Sequence, residues 1–163
     1  DPVELATEML AHMRHYGGIG LSANQLGLPY RVFVTEGDPG FACFNPRITA
    51  FAGEEKLLDE GCLSYPDMFV KIKRPNQVEA KWHDEKLNEK SGTFEGYTAR
   101  CFLHEFDHLY GVVYKDKVSR LKWDRALKKK GKITKQRQAA MAYLKHLQQQ
   151  LPKETAEKEA AAN

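Results

Sequence analysis

The stretch His104-Glu105-Phe106-Asp107-His108 is the most informative part of this chain. On a helix, residues four apart lie on one face, so the imidazoles of His104 and His108 can bind one metal ion. The Glu105 carboxylate lies one step round the helix, where it can reach a metal-bound water without being a ligand. This pattern is typical of sites that hydrolyse an acyl bond with a metal-activated water and a carboxylate base.

The residues on either side predict a helix that is buried on most of its sides. It is expected from about Tyr97 to Tyr110, with Gly111 ending it. Its apolar residues near the motif are Cys101, Phe102, Leu103 and Leu109. Two neutral imidazoles beside a glutamate would be costly there without a partner. We therefore prefer a metal site to the alternative, a charged amphipathic helix with two incidental histidines.

A third ligand is needed, because a catalytic site of this kind takes three protein ligands and keeps one position open. Downstream of the motif, Tyr114 stands where one class of metalloprotease has a histidine, and the next histidine is His146. The acids between them are only Asp116 and Asp124. A downstream ligand is therefore unfavourable.

The upstream candidates are the three cysteines. Cys101 lies about 7 Å along the helix axis from the level of a metal shared by the histidines, which is too far for its side chain. Cys43 is interpreted as a small hydrophobic residue in a buried strand. Cys62 follows Gly61 in a polar turn, where the backbone can approach closely, and is the candidate third ligand.

Three motifs, in the right order, resemble those of the peptide deformylase family. Gly18-Ile19-Gly20-Leu21-Ser22-Ala23-Asn24-Gln25 is similar to the family's G-Φ-G-Φ-A-A-x-Q. Glu60-Gly61-Cys62-Leu63-Ser64 and the metal-helix motif match the second and third. The resemblance covers roughly residues 2–120. Ser22 replaces the usual first alanine, a change between small residues that we expect to be harmless.

The resemblance implies removal of the N-formyl group from nascent peptides that begin with formyl-methionine. Cys62, His104 and His108 would bind one divalent ion per chain, with Fe(II) as the native metal and Zn, Ni or Co as substitutes. Glu105 would take a proton from the water and deliver it to the leaving amine. The Gln25 amide and the Leu63 backbone N–H would donate to the oxyanion.

The resemblance also implies a peptide-binding groove. The backbones of Gly18-Ile19-Gly20 and Glu60-Gly61 would bind the peptide as an added strand. The methionine pocket would be walled by Leu58, Tyr97 and Cys101. An ion pair between Glu60 and Arg74 would hold the loop.

The predicted fold is a small α+β architecture of the deformylase type, with mixed or antiparallel strands packed around the central metal-binding helix. Short strands are expected at Arg31–Thr35, Phe41–Phe44, Arg47–Phe51, Met68–Lys73 and Gln77–Trp82, and a long turn from Asn88 to Tyr97. Residues 1–119 would form the catalytic domain and residues 120–151 a basic helical extension. Residues 152–163 are expected to be a disordered tail.

Charge is unevenly placed along the chain. Residues 115–137 hold eleven Lys/Arg and two Asp, a net charge of +9, whereas residues 1–114 hold eleven Lys/Arg and seventeen Asp/Glu, a net charge of −6. A basic run of this kind is either a solvated helix face or an electrostatic surface for RNA. Some peptide deformylases use a basic C-terminal helix to dock beside the ribosomal exit tunnel, so the resemblance implies that this segment binds the ribosome.

Composition favours an intracellular enzyme. The three cysteines have irregular spacing and no signal peptide precedes them, which favours a reducing compartment. No apolar run approaches a membrane span. We expect a monomer in the cytoplasm, in that of a bacterial host if the chain is a phage-borne or environmental member. The start at Asp1-Pro2, without the usual N-terminal strand, suggests a fragment.

Two other functions share part of this pattern. A zinc endopeptidase has the same helix motif but needs a downstream ligand. An RNA-binding or ribosome-associated module would have a structural metal, normally closed by a fourth protein ligand. No spare histidine or cysteine near Cys62 is apparent in the sequence.

Overall fold

The computed structural model describes residues 1–37 and 40–150, and the predicted disordered tail at 152–163 lies outside the described residues. The chain divides into two compact units, Asp1–Ala126 and Leu127–Asn163. In chain order the elements are α1 (Pro2–His15), β1 (Gly20–Ser22), a 3-10 turn (Ala23–Leu26), β2 (Val32–Thr35), β3 (Phe41–Cys62), β4 (Tyr65–His83), β5 (Glu89–Glu95), α2 (Gly96–His108), a second 3-10 turn (Tyr114–Lys117) and α3 (Arg120–Gln150).

The five strands form one sheet in the order β1-β2-β3-β4-β5, and every neighbouring pair is antiparallel. The predicted α+β class is therefore confirmed. The metal helix is α2, which begins and ends within two residues of its predicted limits. Gly111 follows it with a φ of 72°, a left-handed conformation that ends a helix without strain in glycine.

Two long strands replace the four short ones predicted for residues 41–82. β3 contains both Phe41–Phe44 and Arg47–Phe51, and β4 contains both Met68–Lys73 and Gln77–Trp82. The register between β3 and β4 shifts at four places, one of them between Phe44 and Arg47. Each bulge interrupts the alternation of apolar residues while the pairing continues, and for this reason the sequence pattern breaks where the strand does not.

The prediction of a long turn from Asn88 to Tyr97 is wrong, because most of this segment is the strand β5. Its residues pair with β4 from Gln77–Glu95 to His83–Glu89. β5 lies at one edge of the sheet, and only Gly92 and Phe94 are partly buried there. A polar edge strand has too few apolar residues to show a strand pattern in the sequence.

Helix α2 packs against the sheet and so carries its motif into the interior of the first unit. Phe102 contacts Phe33 and Phe94, with ring centroids 5.1 and 4.8 Å apart. A separate cluster of Val70, Ile72 and Tyr114 packs with Trp123 from the first turns of α3. No helix among the described residues combines the length and the apolarity needed to cross a membrane.

Candidate metal centre

Three side chains from two elements converge at the centre of the first unit. Helix α2 supplies His104 and His108, one turn apart, and the end of β3 supplies Cys62. The Nε2 atoms of the two histidines are 3.2 Å apart, and Cys62 Sγ lies 3.3 Å from His108 Nε2. All three donor atoms lie within 4.8 Å of one another.

The two donor–donor distances of 3.2 and 3.3 Å are close to those around a tetrahedral divalent ion. Metal–nitrogen bonds of about 2.0–2.1 Å and a metal–sulfur bond of about 2.3 Å separate ligand atoms by roughly 3.3–3.7 Å. Within the described residues the cluster has three members, so one coordination position has no protein ligand. An open position is the feature that separates a catalytic site from a structural one.

The Cys62 thiol is prepared to act as a thiolate. Burial raises its pKa, but hydrogen bonds with His104, His108 and the Ser64 backbone outweigh burial and lower the pKa to about 5. A metal ligand has to be a thiolate rather than a thiol, so the site supplies the required form at neutral pH. The predicted polar turn is shorter than expected, since β3 continues to Cys62 and the turn to β4 occupies Leu63 and Ser64.

Glu60 orients the first histidine. Its Oε2 lies 3.2 Å from His104 Nδ1, which directs the other ring nitrogen, Nε2, at the cluster. Burial raises the pKa of Glu60, but contacts with His104 and Arg74 dominate and lower it to about 2. The predicted Glu60–Arg74 pair is confirmed, with Arg74 Nε and Nη2 at 2.6 and 2.9 Å from the carboxylate.

Arg100 completes this network and was missed by the sequence reasoning. Its Nη1 donates to Glu60 Oε1 at 2.5 Å and to the Ile72 carbonyl at 3.0 Å, and its Nη2 donates to the Lys56 carbonyl at 2.6 Å. The guanidinium is buried and joins α2 to both long strands. The available signal was a charged residue one helical turn before His104 on a helix predicted to be buried.

Glu105 lies beside the cluster but is not one of its three members. Its side chain is buried, and its carboxylate accepts a hydrogen bond from the Ser22 hydroxyl. Burial raises the pKa of Glu105, although His104, His108 and Ser22 act in the opposite direction. The carboxylate therefore has a higher proton affinity than an exposed glutamate, as a general base near neutral pH requires.

Gln25 faces the same centre from the first motif. Its Oε1 accepts from the Ser22 backbone N–H at 2.9 Å, which orients the amide. Its Nε2 lies 3.5 Å from Cys62 Sγ and 3.1 Å from Ser64 Oγ. The donor predicted for the oxyanion is therefore at the metal cluster. Leu63, the other predicted donor, follows Cys62 directly.

The residues predicted to line the peptide groove are partly brought together. The Leu63 side chain lies against Gly18, where an added Cβ would be 2.7 Å from Leu63 Cδ1. The Cys101 thiol donates to the Ile19 carbonyl at 3.3 Å. Gly20 lies against Glu105, and Gly61 lies against the ring of Phe69.

The remaining two pocket residues are less enclosed. Leu58 is half-buried in β3, and Tyr97, in the first turn of α2, is 70% exposed. Burial raises the pKa of both Cys43 and Cys101, so these two cysteines stay protonated, unlike Cys62. Both lie outside the three-membered cluster.

The family model and the similar sequences identify the same protein family. Residues 1–124 match the family model described as polypeptide deformylase. A peptide deformylase of Thermotoga petrophila is 41% identical over 121 residues, which cover 73% of this chain and 74% of that protein. One of Wolbachia pipientis is 36% identical over 144 residues, covering 80% of each.

Solved structures agree with the sequence matches. The crystal structure of a peptide deformylase from Synechococcus elongatus in complex with actinonin superposes with a TM-score of 0.72 at 39% identity, covering 76% of this chain and 69% of that one. The crystal structure of the Thermotoga maritima peptide deformylase gives a TM-score of 0.69 at 39% identity, covering 71% and 80%.

Proposed function

The chain belongs to the peptide deformylase family, and we propose that Cys62, His104 and His108 bind its catalytic metal while Glu105 moves the protons. It is a metal-dependent hydrolase that removes the N-formyl group from nascent peptides. The observation that carries the residue assignment is the convergence of one sulfur and two nitrogens within 4.8 Å, beside a buried glutamate that is not a member of the cluster.

A divalent ion held there would lower the pKa of a bound water and polarise the formyl carbonyl. Glu105 receives the proton that the water loses and later gives it to the leaving amine. The Gln25 amide, together with the Leu63 N–H, donates to the carbonyl oxygen as negative charge develops on it. Burial of Glu105 supports this role, because it raises the proton affinity of the carboxylate.

The peptide binds as an extended strand between the two glycine-containing segments, Gly18–Gly20 and Glu60–Gly61. The methionine side chain enters a pocket walled by Leu58, Tyr97 and Cys101. The hydrogen bond from Cys101 to Ile19 supports this assignment, because it brings one pocket wall next to one of the segments.

The native ion is Fe(II), with Zn, Ni and Co as working substitutes. One thiolate and two imidazoles form a site that all four metals accept, so the donor set supports this group of metals over Mg or Ca. The enzyme acts as a monomer in the cytoplasm. The described cysteines are all free, which suits a reducing compartment.

The ribosome is a second partner, bound by the basic residues 115–137. Eleven Lys/Arg against two Asp in this segment support binding to RNA phosphates. The zinc endopeptidase and the RNA module with a structural metal are less favoured. Cys62 provides an upstream donor atom, and no fourth His, Cys, Asp or Glu joins the cluster among the described residues.

The test is the variant Glu105→Gln. It should keep the ion, because Glu105 is not a ligand, and lose about 10²-fold or more of kcat on formyl-Met-Ala-Ser, because the amide cannot take a proton. Metal content and turnover of anaerobically purified protein are the measurements. Glu85→Gln, a change of the same chemistry in the turn after β4, is the control and should keep both. Loss of the ion from Glu105→Gln, or retention of full turnover, would refute the proposed roles.

A further inference from the structure

Ser22, which stands where the family motif usually has alanine, makes a hydrogen bond that an alanine could not make. It is the last residue of β1 and its exposed fraction is 0%. Its Oγ lies 2.7 Å from Glu105 Oε2 and 3.0 Å from the Glu105 backbone carbonyl. The hydroxyl has one proton, and the shorter distance and the negative charge direct it to the carboxylate.

Gly20, two residues earlier on the same face of β1, leaves room for the same carboxylate. A Cβ added at Gly20 would lie 2.4 Å from Glu105 Oε1, so the carboxylate occupies the space that a side chain would fill. β1 therefore offers Glu105 an opening at one position and a hydrogen-bond donor at the next position on that face.

The buried carboxylate depends on this donor. Glu105 is 3% exposed, and a buried carboxylate without hydrogen bonds is energetically costly. Among the described residues, the Ser22 hydroxyl is the one hydrogen-bond donor to the Glu105 carboxylate, and it reaches Oε2. Oε1 has no hydrogen-bond donor within the described part of the chain.

We propose that Ser22 is a positioning residue for the general base: its hydroxyl holds Glu105 Oε2, so that Oε1, over Gly20, takes and returns the proton. This inference rests on the proposed role of Glu105. A base held in one orientation keeps the distance for proton transfer constant, whereas a carboxylate that rotates spends part of its time out of reach. Ser22 thus acts on the rate through Glu105 and does not touch the substrate.

The first experiment compares Ser22→Ala with Thr35→Val in the metal-loaded enzyme. Thr35 lies opposite Gly20 in β2, and its buried Oγ1 has no hydrogen-bond partner among the described residues, so its change removes a buried hydroxyl that does not reach Glu105. Ser22→Ala should lower kcat about tenfold or more, the usual effect of losing a hydrogen bond to a charged group, with KM within about twofold. Thr35→Val should leave both unchanged.

The second experiment repeats Ser22→Ala in the Glu105→Gln background. Positioning matters only if the positioned group is a base. Adding Ser22→Ala to Glu105→Gln should therefore lower the residual turnover less than twofold. A crystal structure of Ser22→Ala should also show the Glu105 carboxylate rotated or in more than one conformation. This readout does not depend on turnover.

Four results would overturn the inference. Unchanged kcat in Ser22→Ala, with Glu105→Gln inactive, would remove the role of Ser22 and leave the proposed function intact. An equal loss in both backgrounds, or a loss accompanied by loss of the metal, would make the hydroxyl a structural brace on α2. Full turnover in Glu105→Gln would instead refute the proposed function itself.

Discussion

Single residues at the centre owe their properties to their immediate neighbours. The pKa of Cys62 is lowered to about 5, while that of Cys101, three residues before His104 on α2, is raised. Hydrogen bonds from two histidines and a backbone amide stabilise the Cys62 thiolate, whereas burial dominates for Cys101. Only the first is therefore suited to bind a metal near neutral pH.

We predict from this difference that Cys62→Ser loses the bound ion and nearly all turnover, because a serine hydroxyl does not ionise near neutral pH. Cys43→Ser and Cys101→Ser should retain the metal. Metal analysis of the purified variants and turnover of formyl-Met-Ala-Ser are the measurements. If Cys101→Ser empties the site while Cys62→Ser keeps its ion, the ligand assignment is wrong.

The expectation that Ser22 is a harmless replacement for alanine considered size alone. The Ser22 side chain is fully buried. The hydroxyl, however, reaches Glu105, which is 83 positions away in sequence. A motif comparison describes each position by itself and does not report which partner the side chain meets.

At the scale of elements, a buried ion network joins α2 to the hairpin of β3 and β4. Glu60 from β3 accepts hydrogen bonds from Arg74 in β4 and from Arg100 in α2, and it lies beside His104. The network sets the distance between the strand that supplies one predicted ligand and the helix that supplies the other two. Removing one member leaves charges and carbonyls buried without partners.

Arg100→Met should therefore destabilise the fold by about 2–4 kcal/mol, because the Glu60 carboxylate and two buried carbonyls lose a donor. Urea unfolding of the metal-loaded protein measures this. Arg120→Met is the control. The Arg120 side chain is 95% exposed, and its Nε lies as far as 4.0 Å from the Asp124 carboxylate. Its loss should change the free energy of unfolding by less than about 0.5 kcal/mol. Equal stability of the two variants would show that the network contributes little.

At the scale of the whole molecule, the end of the compact first unit lies within α3. Trp123 contacts Tyr65 and Tyr114 with ring centroids 5.4 and 5.6 Å away, and the unit extends to Ala126. The predicted catalytic domain of residues 1–119 stops before these contacts, so Trp123 is a structural part of the first unit. The basic segment 115–137 crosses the boundary between the units.

Two truncations separate structure from partner binding. Ending the chain after Ala126 keeps the Trp123 cluster and removes six of the eleven basic residues of 115–137, so free formyl-peptide turnover should stay within about twofold while salt-sensitive binding to ribosomes weakens. Ending it after Ser119 removes Trp123 and should cost about 2 kcal/mol or more in unfolding free energy. Cosedimentation with ribosomes at two salt concentrations and urea unfolding are the measurements. If the chain that ends after Ala126 binds ribosomes as strongly as the full chain, residues 127–137 have no role in that binding.

Sequence reasoning was enough for the family, the α+β class, the extent of α2 and the convergence of Cys62, His104 and His108. The local evidence was the four-residue spacing of the two histidines, the order of three motifs and a glycine able to end a helix. The two long strands and β5 were not determined in this way, because bulges and a polar edge remove the periodicity that sequence reasoning depends on.

The contacts of Arg100 with Glu60 and of Ser22 with Glu105 are seen only in the folded chain. These contacts join segments 40 and 83 positions apart. They depend on which face of α2 packs on the sheet and on how the strands align beside it. Burial then makes them specific, because a buried charge is costly wherever it lacks a hydrogen-bond partner.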